Sequence, residues 1–218
     1  MLSNEAMTTP DQREQERQRA IAEHKRITAP IMADLRSAGF EFGTLDELRR
    51  SGKQYKGAVP ILLSWLPRVD ALDVKESIIR TLSVPWARGI ATKPVLEEFS
   101  KAPNEAMTFR WAIGNAMEVI ADSSVADEIL NIVADASNGM ARQMFILALG
   151  KLQDPRAIPL LLKLLKDDEV AGHAVEALGN LKAVEAKAAL ESMLKHPKEW
   201  VRNAASTALS KIASVPKM

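Results

Sequence analysis

Residues 154–212, DPRAIPLLLKLLKDDEVAGHAVEALGNLKAVEAKAALESMLKHPKEWVRNAASTALSKI, decide the fold. The stretch carries one pattern twice. An apolar run, IPLLLKLL and then KAALESML, is followed by a short polar break. An Ala-rich segment comes next, VAGHAVEALGNL from Val170 and VRNAASTALSKI from Val201. Positions 1, 4, 5, 8, 9 and 12 of each Ala-rich segment form one stripe of a 3.6-residue helix. By composition alone IPLLLKLLK also reads as a buried strand; the repeat register makes it a helix.

The pattern extends towards the N-terminus. Three more segments align without gaps: VKESIIRTLSVP from Val74, FRWAIGNAMEVI from Phe109 and ARQMFILALGKL from Ala141. The five starts, Val74, Phe109, Ala141, Val170 and Val201, lie 35, 32, 29 and 31 residues apart. The eighth position is always small (Thr81, Ala116, Ala148, Ala177, Ala208), and the ninth is Leu or Met (Leu82, Met117, Leu149, Leu178, Leu209). Small residues on such a stripe let helices approach closely. The preceding segments VPILLSWL, KPVLEEFS, DEILNIVA, IPLLLKLL and KAALESML align as well. Pro60, Pro94 and Pro159 sit early in three of them, where a helix tolerates proline.

A period of about thirty residues built from helix pairs reads as an all-α solenoid. The expected organisation is a disordered tail over 1–10, N-terminal capping helices over 11–55, repeats over 56–86, 90–121, 123–153, 155–182 and 184–213, and a tail over 214–218. Within 11–55, Pro30 either starts a new helix or kinks the first one. Gly39 is a C-terminal stop, and Thr44 with Glu47 forms a capping box for LDELRR. Ile27, Ile31, Met32 and Leu35 make an apolar stripe. It suits a cap on the end of the stack, the alternative being an interaction arm.

Composition agrees with helices. Aromatic residues are 5% of the 218-residue chain, against 47% hydrophobic residues overall; strands draw more on aromatic and β-branched side chains. Twenty-nine basic residues oppose 28 acidic ones, so the charge gives no easy argument for duplex binding. With no cysteine, disulfides, thiolate zinc sites and cysteine nucleophiles are excluded. There is no apolar run of transmembrane length and no secretory h-region at the N-terminus, so the expected location is cytoplasmic.

The second-segment pattern V-R-x-x-A-x-x-A-L-x-x-L resembles HEAT repeats, and within them the short variety of the PBS lyase HEAT-like proteins. The resemblance is clearest over 154–212, weaker over 56–153 and absent from 1–55. It implies an α-α superhelix, ARM-like in architecture, of about five helix pairs, with the second helices lining the concave face. It implies no enzyme, since most such proteins bind other macromolecules. The family's basic second position is matched by Lys75, Arg110, Arg142 and Arg202, with Ala171 departing. Such residues commonly pair with an acidic group of the adjacent repeat, as a structural ladder.

No catalytic constellation is legible. The three histidines, His24, His173 and His196, have no metal-ligand spacing, and no His-Glu dipeptide of the HEAT-like di-iron hydroxylases occurs. No GxSxG, GxGxxG or Walker loop is present. Asp167, Asp168 and Glu169 read as a helix start rather than an acid–base pair. No cofactor and no metal are expected. The leading expectation is a non-catalytic scaffold or adaptor that binds a protein partner through its concave face. One alternative is a HEAT-like DNA-binding or DNA glycosylase-type protein, with Trp111 as a stacking platform and Arg80 and Arg110 on phosphates. The other is a bilin lyase-like subunit.

Positions 3, 7 and 10 of the second helices should face outward. The first rows are large and polar around an aromatic, and interfaces favour such anchors. The candidate binding site is therefore Glu76, Arg80, Trp111, Asn115, Glu118 and Gln143. Trp111 either anchors a partner or packs between repeats. Trp65 is expected in the core, and Trp200 is expected to staple the start of its own helix.

Overall fold

The computed structural model describes residues 9–214. The expected disordered tails lie outside that range, except for Thr9, Pro10 and Ser214. Among the described residues there are twelve α-helices, short 3-10 turns and no strand, which makes this an all-α repeat fold. The chain divides into two compact units, Met1–Ile78 and Ile79–Met218.

The first unit holds α1 (Pro10–Ser37), α2 (Leu45–Arg50), α3 (Ala58–Trp65) and the start of α4 (Leu72–Leu82). Thr9 and Pro10 belong to the start of α1 rather than to a tail. The Thr9 hydroxyl accepts from the Gln12 N–H at 3.3 Å, and the Gln12 side chain accepts from the Thr9 N–H at 2.8 Å. This is a complete capping box, with Pro10 where its missing N–H costs nothing. Pro30 starts no new helix; α1 runs through it. Arg26, whose carbonyl Pro30 leaves without a donor, is exposed, so water can satisfy it. The helix ends as Gly39 indicates. Gly39 takes φ +86°, its N–H donates to Arg36 O at 2.9 Å, and the Phe40 N–H reaches Leu35 O at 3.0 Å. Those are the two bonds of a Schellman motif.

Only Thr28, Ile31, Met32 and Leu35 of α1 are buried. Ile27, expected in the same stripe, is half-buried, and Pro10–Glu23 is exposed throughout. The box at Thr44 is half formed. Its hydroxyl accepts from Glu47 N at 3.1 Å, while the Glu47 carboxylate takes the N–H of Gly43 at 2.8 Å. Trp65 is half-buried rather than in the core. Its indole N–H donates to the Asp34 carboxylate at 2.8 Å, which holds the ring at the rim where α1 supplies an acceptor.

The second unit is built from four pairs: α5 (Thr92–Lys101) with α6 (Met107–Ile120), α7 (Ala126–Ala134) with α8 (Arg142–Leu152), α9 (Ile158–Leu164) with α10 (Ala171–Asn180), and α11 (Lys187–Met193) with α12 (Glu199–Ala213). Each first helix packs on its own second helix. The most extensive packing runs between consecutive second helices, α6 on α8, α8 on α10 and α10 on α12; neighbouring first helices meet far less. Small residues set that spacing. A Cβ on Gly150 would lie 2.8 Å from Ala177 Cα, and one on Gly179 would lie 2.7 Å from Ala208 Cα. On α6, a Gly114 Cβ would lie 2.8 Å from Met144 Cβ.

This close packing corrects the expected outward positions. Leu147, Gly150, Gly172 and Gly179 are buried, and the three glycines face the next second helix rather than solvent. Trp200 also differs from expectation. Its ring lies over Gly172 and meets His173 edge-on with centroids 5.5 Å apart, so it ties α12 to α10.

Candidate functional site

The candidate residues sit on three second-type helices. Glu76 and Arg80 are half-buried on α4, with Glu76 in the first unit and Arg80 in the second. Trp111, Asn115 and Glu118 follow one another along α6, and Gln143 lies in the first turn of α8, which packs on α6.

Trp111 is 39% exposed. Its place follows from helix phase: Arg110 and Ala112 on either side are buried, as are Ile113 and Gly114, so the indole points away from the packed stripe. Asn115, one turn on, donates to the Trp111 carbonyl at 3.1 Å. Glu118 is engaged across the repeat, 2.8 Å from Lys151 Nζ. Gln143 donates to the Glu169 carbonyl of the following pair at 2.9 Å. Glu118 and Gln143 thus tie repeats together while their outer edges reach solvent.

Sequence reasoning passed over two apolar neighbours. Met107 is 39% exposed and lies one turn before Trp111 on the same face of α6, and Met140 is 52% exposed in the turn leading into α8. Met140 and Trp111 occupy matching positions of adjacent repeats. The residue just before each second segment meets position 3 of the preceding one: Glu169 takes the Gln143 side chain, and Trp200 covers Gly172. Met140 and Trp111 hold those two positions one repeat earlier. The signal in the sequence was an apolar residue, as at Trp200, in a position that Asp73, Thr108 and Glu169 fill in the other repeats.

Of the basic second positions, Arg110 and Arg142 tie one repeat to the next, and Arg202 braces the loop of its own repeat. Arg142, 2% exposed, donates to the Asp167 carboxylate at 2.7 Å, with Glu169 at 3.8 Å. Burial pushes the Asp167 carboxyl up. The hydrogen bond from Arg142, the Glu169 N–H and the charge of Arg142 outweigh it and hold the group below the usual carboxylate range. The acidic run Asp167–Glu169 is thereby accounted for as a helix start and a partner for arginine. Arg202 bonds instead to the carbonyls of His196 and Pro197, at 2.8 and 2.9 Å. Arg110 bonds to the Ala102 carbonyl and the Asn138 side chain, and stacks 4.0 Å from the Phe99 ring. At 4% exposure, Arg110 is not placed to meet a phosphate, which removes one of the two cations assigned to backbone contacts in the DNA reading.

His173 is half-buried, and its Nδ1 has no hydrogen-bond partner. Burial lowers its pKa. Among the described residues, no group of three or more His, Cys, Asp or Glu side chains is placed to hold a metal ion. No helix among them is long and apolar enough to cross a membrane.

Comparison with known families gives one result. The family model described as HEAT repeats matches residues 92–172 and 166–217. No curated protein matches the chain.

Proposed function

Since the chain belongs to the HEAT-repeat family, whose model covers more than half of its 218 residues, we propose that it is a non-catalytic scaffold that binds a protein partner through the face formed by its second helices. The observation that carries this reading is the 39% exposure of Trp111. A tryptophan is usually well buried, and here it is partly exposed on the same helix face as exposed Met107, with exposed Met140 in the turn that leads into α8. Aromatic residues and methionine are enriched in interface cores, and methionine adapts its shape to a partner surface. Asn115, Glu118 and Gln143 supply polar groups around that centre. Arg80, in the same unit, extends the proposed site to α4.

The expected partner is a protein rather than a nucleic acid, because the cations on α6 and α8 are taken. Arg110 and Arg142 are buried, and Lys151 is paired with Glu118. Capture experiments with the wild-type chain and Trp111→Ala test the reading. The variant is expected to lose the protein captured by wild type and to keep its melting temperature within about 3 °C, the range of a surface substitution. Equal capture by both chains would remove Trp111 from the interface. Capture of DNA in a salt-sensitive manner would replace the protein partner with a nucleic acid.

A further inference from the structure

The layer of first helices carries a groove of a different character. Because α5 and α7 pack on each other far less than α6 and α8 do, they leave a cleft of about 490 Å³ between them. Leu96, Phe99, Val125 and Ile132 form its apolar part, with Ile132 half-buried and the other three buried. Glu97 stands on the α5 side and Glu128 on the α7 side; both are exposed.

These two carboxylates are distinguished by what they lack. Their neighbours are neutralised: Asp127 by Arg156 at 2.8 Å, and Glu98 by Lys101 at 3.0 Å. Neither Glu97 nor Glu128 has an ion-pair partner among the described residues, although they flank the same cleft. Lys93 is the cation lining it, so the cleft is net acidic. A second recess of about 460 Å³ continues it past Phe99 and Ile132 to Asp135, and the buried, stacked Arg110 is the cation there.

We propose that this cleft docks a basic amphipathic helix of a protein partner, at a site separate from the Trp111 face. Such a helix sets its apolar stripe on Leu96, Phe99 and Ile132 and directs lysine or arginine side chains from its two flanks to Glu97 and Glu128. The dimensions agree. α5 has 10 residues and α7 has 9, so at about 1.5 Å per residue the cleft runs along two to three helical turns. That length engages anchors at i, i+3 or i+4 and i+7, the spacing of helix-in-groove recognition.

The test uses a fluorescein-labelled 14-residue peptide with leucines on one helical face and lysines on both flanks. Its anisotropy is titrated with the full chain. The matched control replaces every lysine with glutamate. Expected are saturable binding of the lysine peptide, none of the glutamate peptide, and about tenfold weaker binding to the Glu97→Lys/Glu128→Lys double variant. Ile132→Asn is expected to weaken binding without abolishing its dependence on salt. Trp111→Ala should bind the peptide as wild type does, which separates this site from the proposed partner face. Equal binding of both peptides, full binding by the double variant, or no binding at all would overturn the proposal. So would a dimer, seen by light scattering, that the double variant dissociates, because the occupant would then be a second copy of the chain.

Discussion

Arg142 and His173 show two ways a polar side chain is accommodated inside this fold. Arg142 is met on two sides: Asp167, 25 residues on, brings a carboxylate to 2.7 Å, and the Gly139 carbonyl accepts from Nε at 3.0 Å. The sequence made that arrangement legible in part: a basic residue recurs at the second position, and an acidic run stands before Val170. The same reasoning did not reach Arg110 and Arg202, because their acceptors are mainly backbone carbonyls, which every residue type carries. His173 has no such support. It stands edge-on to Trp200, its Nδ1 unpartnered and with no carboxylate at ion-pair distance among the described residues. Burial lowers its pKa in the folded chain, whereas the unfolded imidazole titrates near about 6.5. Below that pH the unfolded chain binds more protons, so stability is complete above about pH 6.5 and falls as the pH drops through the folded pKa. Urea unfolding between about pH 5 and 7.5 should show this slope in wild type and a flatter profile in His173→Leu. Identical slopes would mean that the ring is protonated in place at no cost.

At the scale of elements, the decisive feature is how closely consecutive second helices lie. Read from the sequence, Gly150, Gly172 and Gly179 looked like bare positions on an outer face. Their helical phase was right, but the outer face of one second helix is the inner face of its contact with the next. Phase alone does not reveal a neighbour that arrives about thirty residues later. A glycine inside a helix costs about 1 kcal/mol relative to alanine, so replacing it would stabilise an isolated helix. Here the added methyl would meet backbone: Ala177 Cα at 2.8 Å from Gly150, and Ala208 Cα at 2.7 Å from Gly179. Backbone cannot swing aside, so α8 and α10, or α10 and α12, must move apart. Gly150→Ala and Gly179→Ala are therefore expected to destabilise the chain by about 1–3 kcal/mol in denaturant melts, against the helix preference. A gain in stability from either substitution would show that the stack yields without loss. Gly172→Ala is the contrasting case. It meets the ring of Trp200, which is 48% exposed and can rotate into solvent; its expected signature is a red-shifted tryptophan emission more than a lower melting point.

At the scale of the whole molecule, periodicity made the chain from residue 56 onward readable, and its absence left residues 11–55 obscure. From Thr92 onward, every helix repeats a pattern that can be checked against its equivalents, and the family match covers that same stretch. Residues 11–55 offered only local signals. Those signals found the Gly39 stop and the Thr44 cap, because caps act within a few residues. They misplaced the helix start at Thr9 and left Pro30 open, since neither is fixed by an amphipathic repeat. The result is a 28-residue helix whose buried residues all lie in its last ten positions, Thr28, Ile31, Met32 and Leu35. The exposed part is held by its capping box and by pairs along the helix, such as Glu14 with Arg17 at 3.5 Å, each worth about 0.2–0.5 kcal/mol. A polar helix of that length is marginal unless the packed end nucleates it. Two consequences follow for a chain lacking residues 1–22. His24 keeps its contact with Asp73 at 2.6 Å, and every buried residue of α1 remains. The unfolding free energy should therefore stay within about 1 kcal/mol of wild type, the size of a lost cap, while helical circular dichroism falls by the thirteen residues from Pro10 to Ala22. A loss of several kcal/mol would instead show that the exposed segment is needed by the fold, and α1 would have to be regarded as part of the core along its whole length.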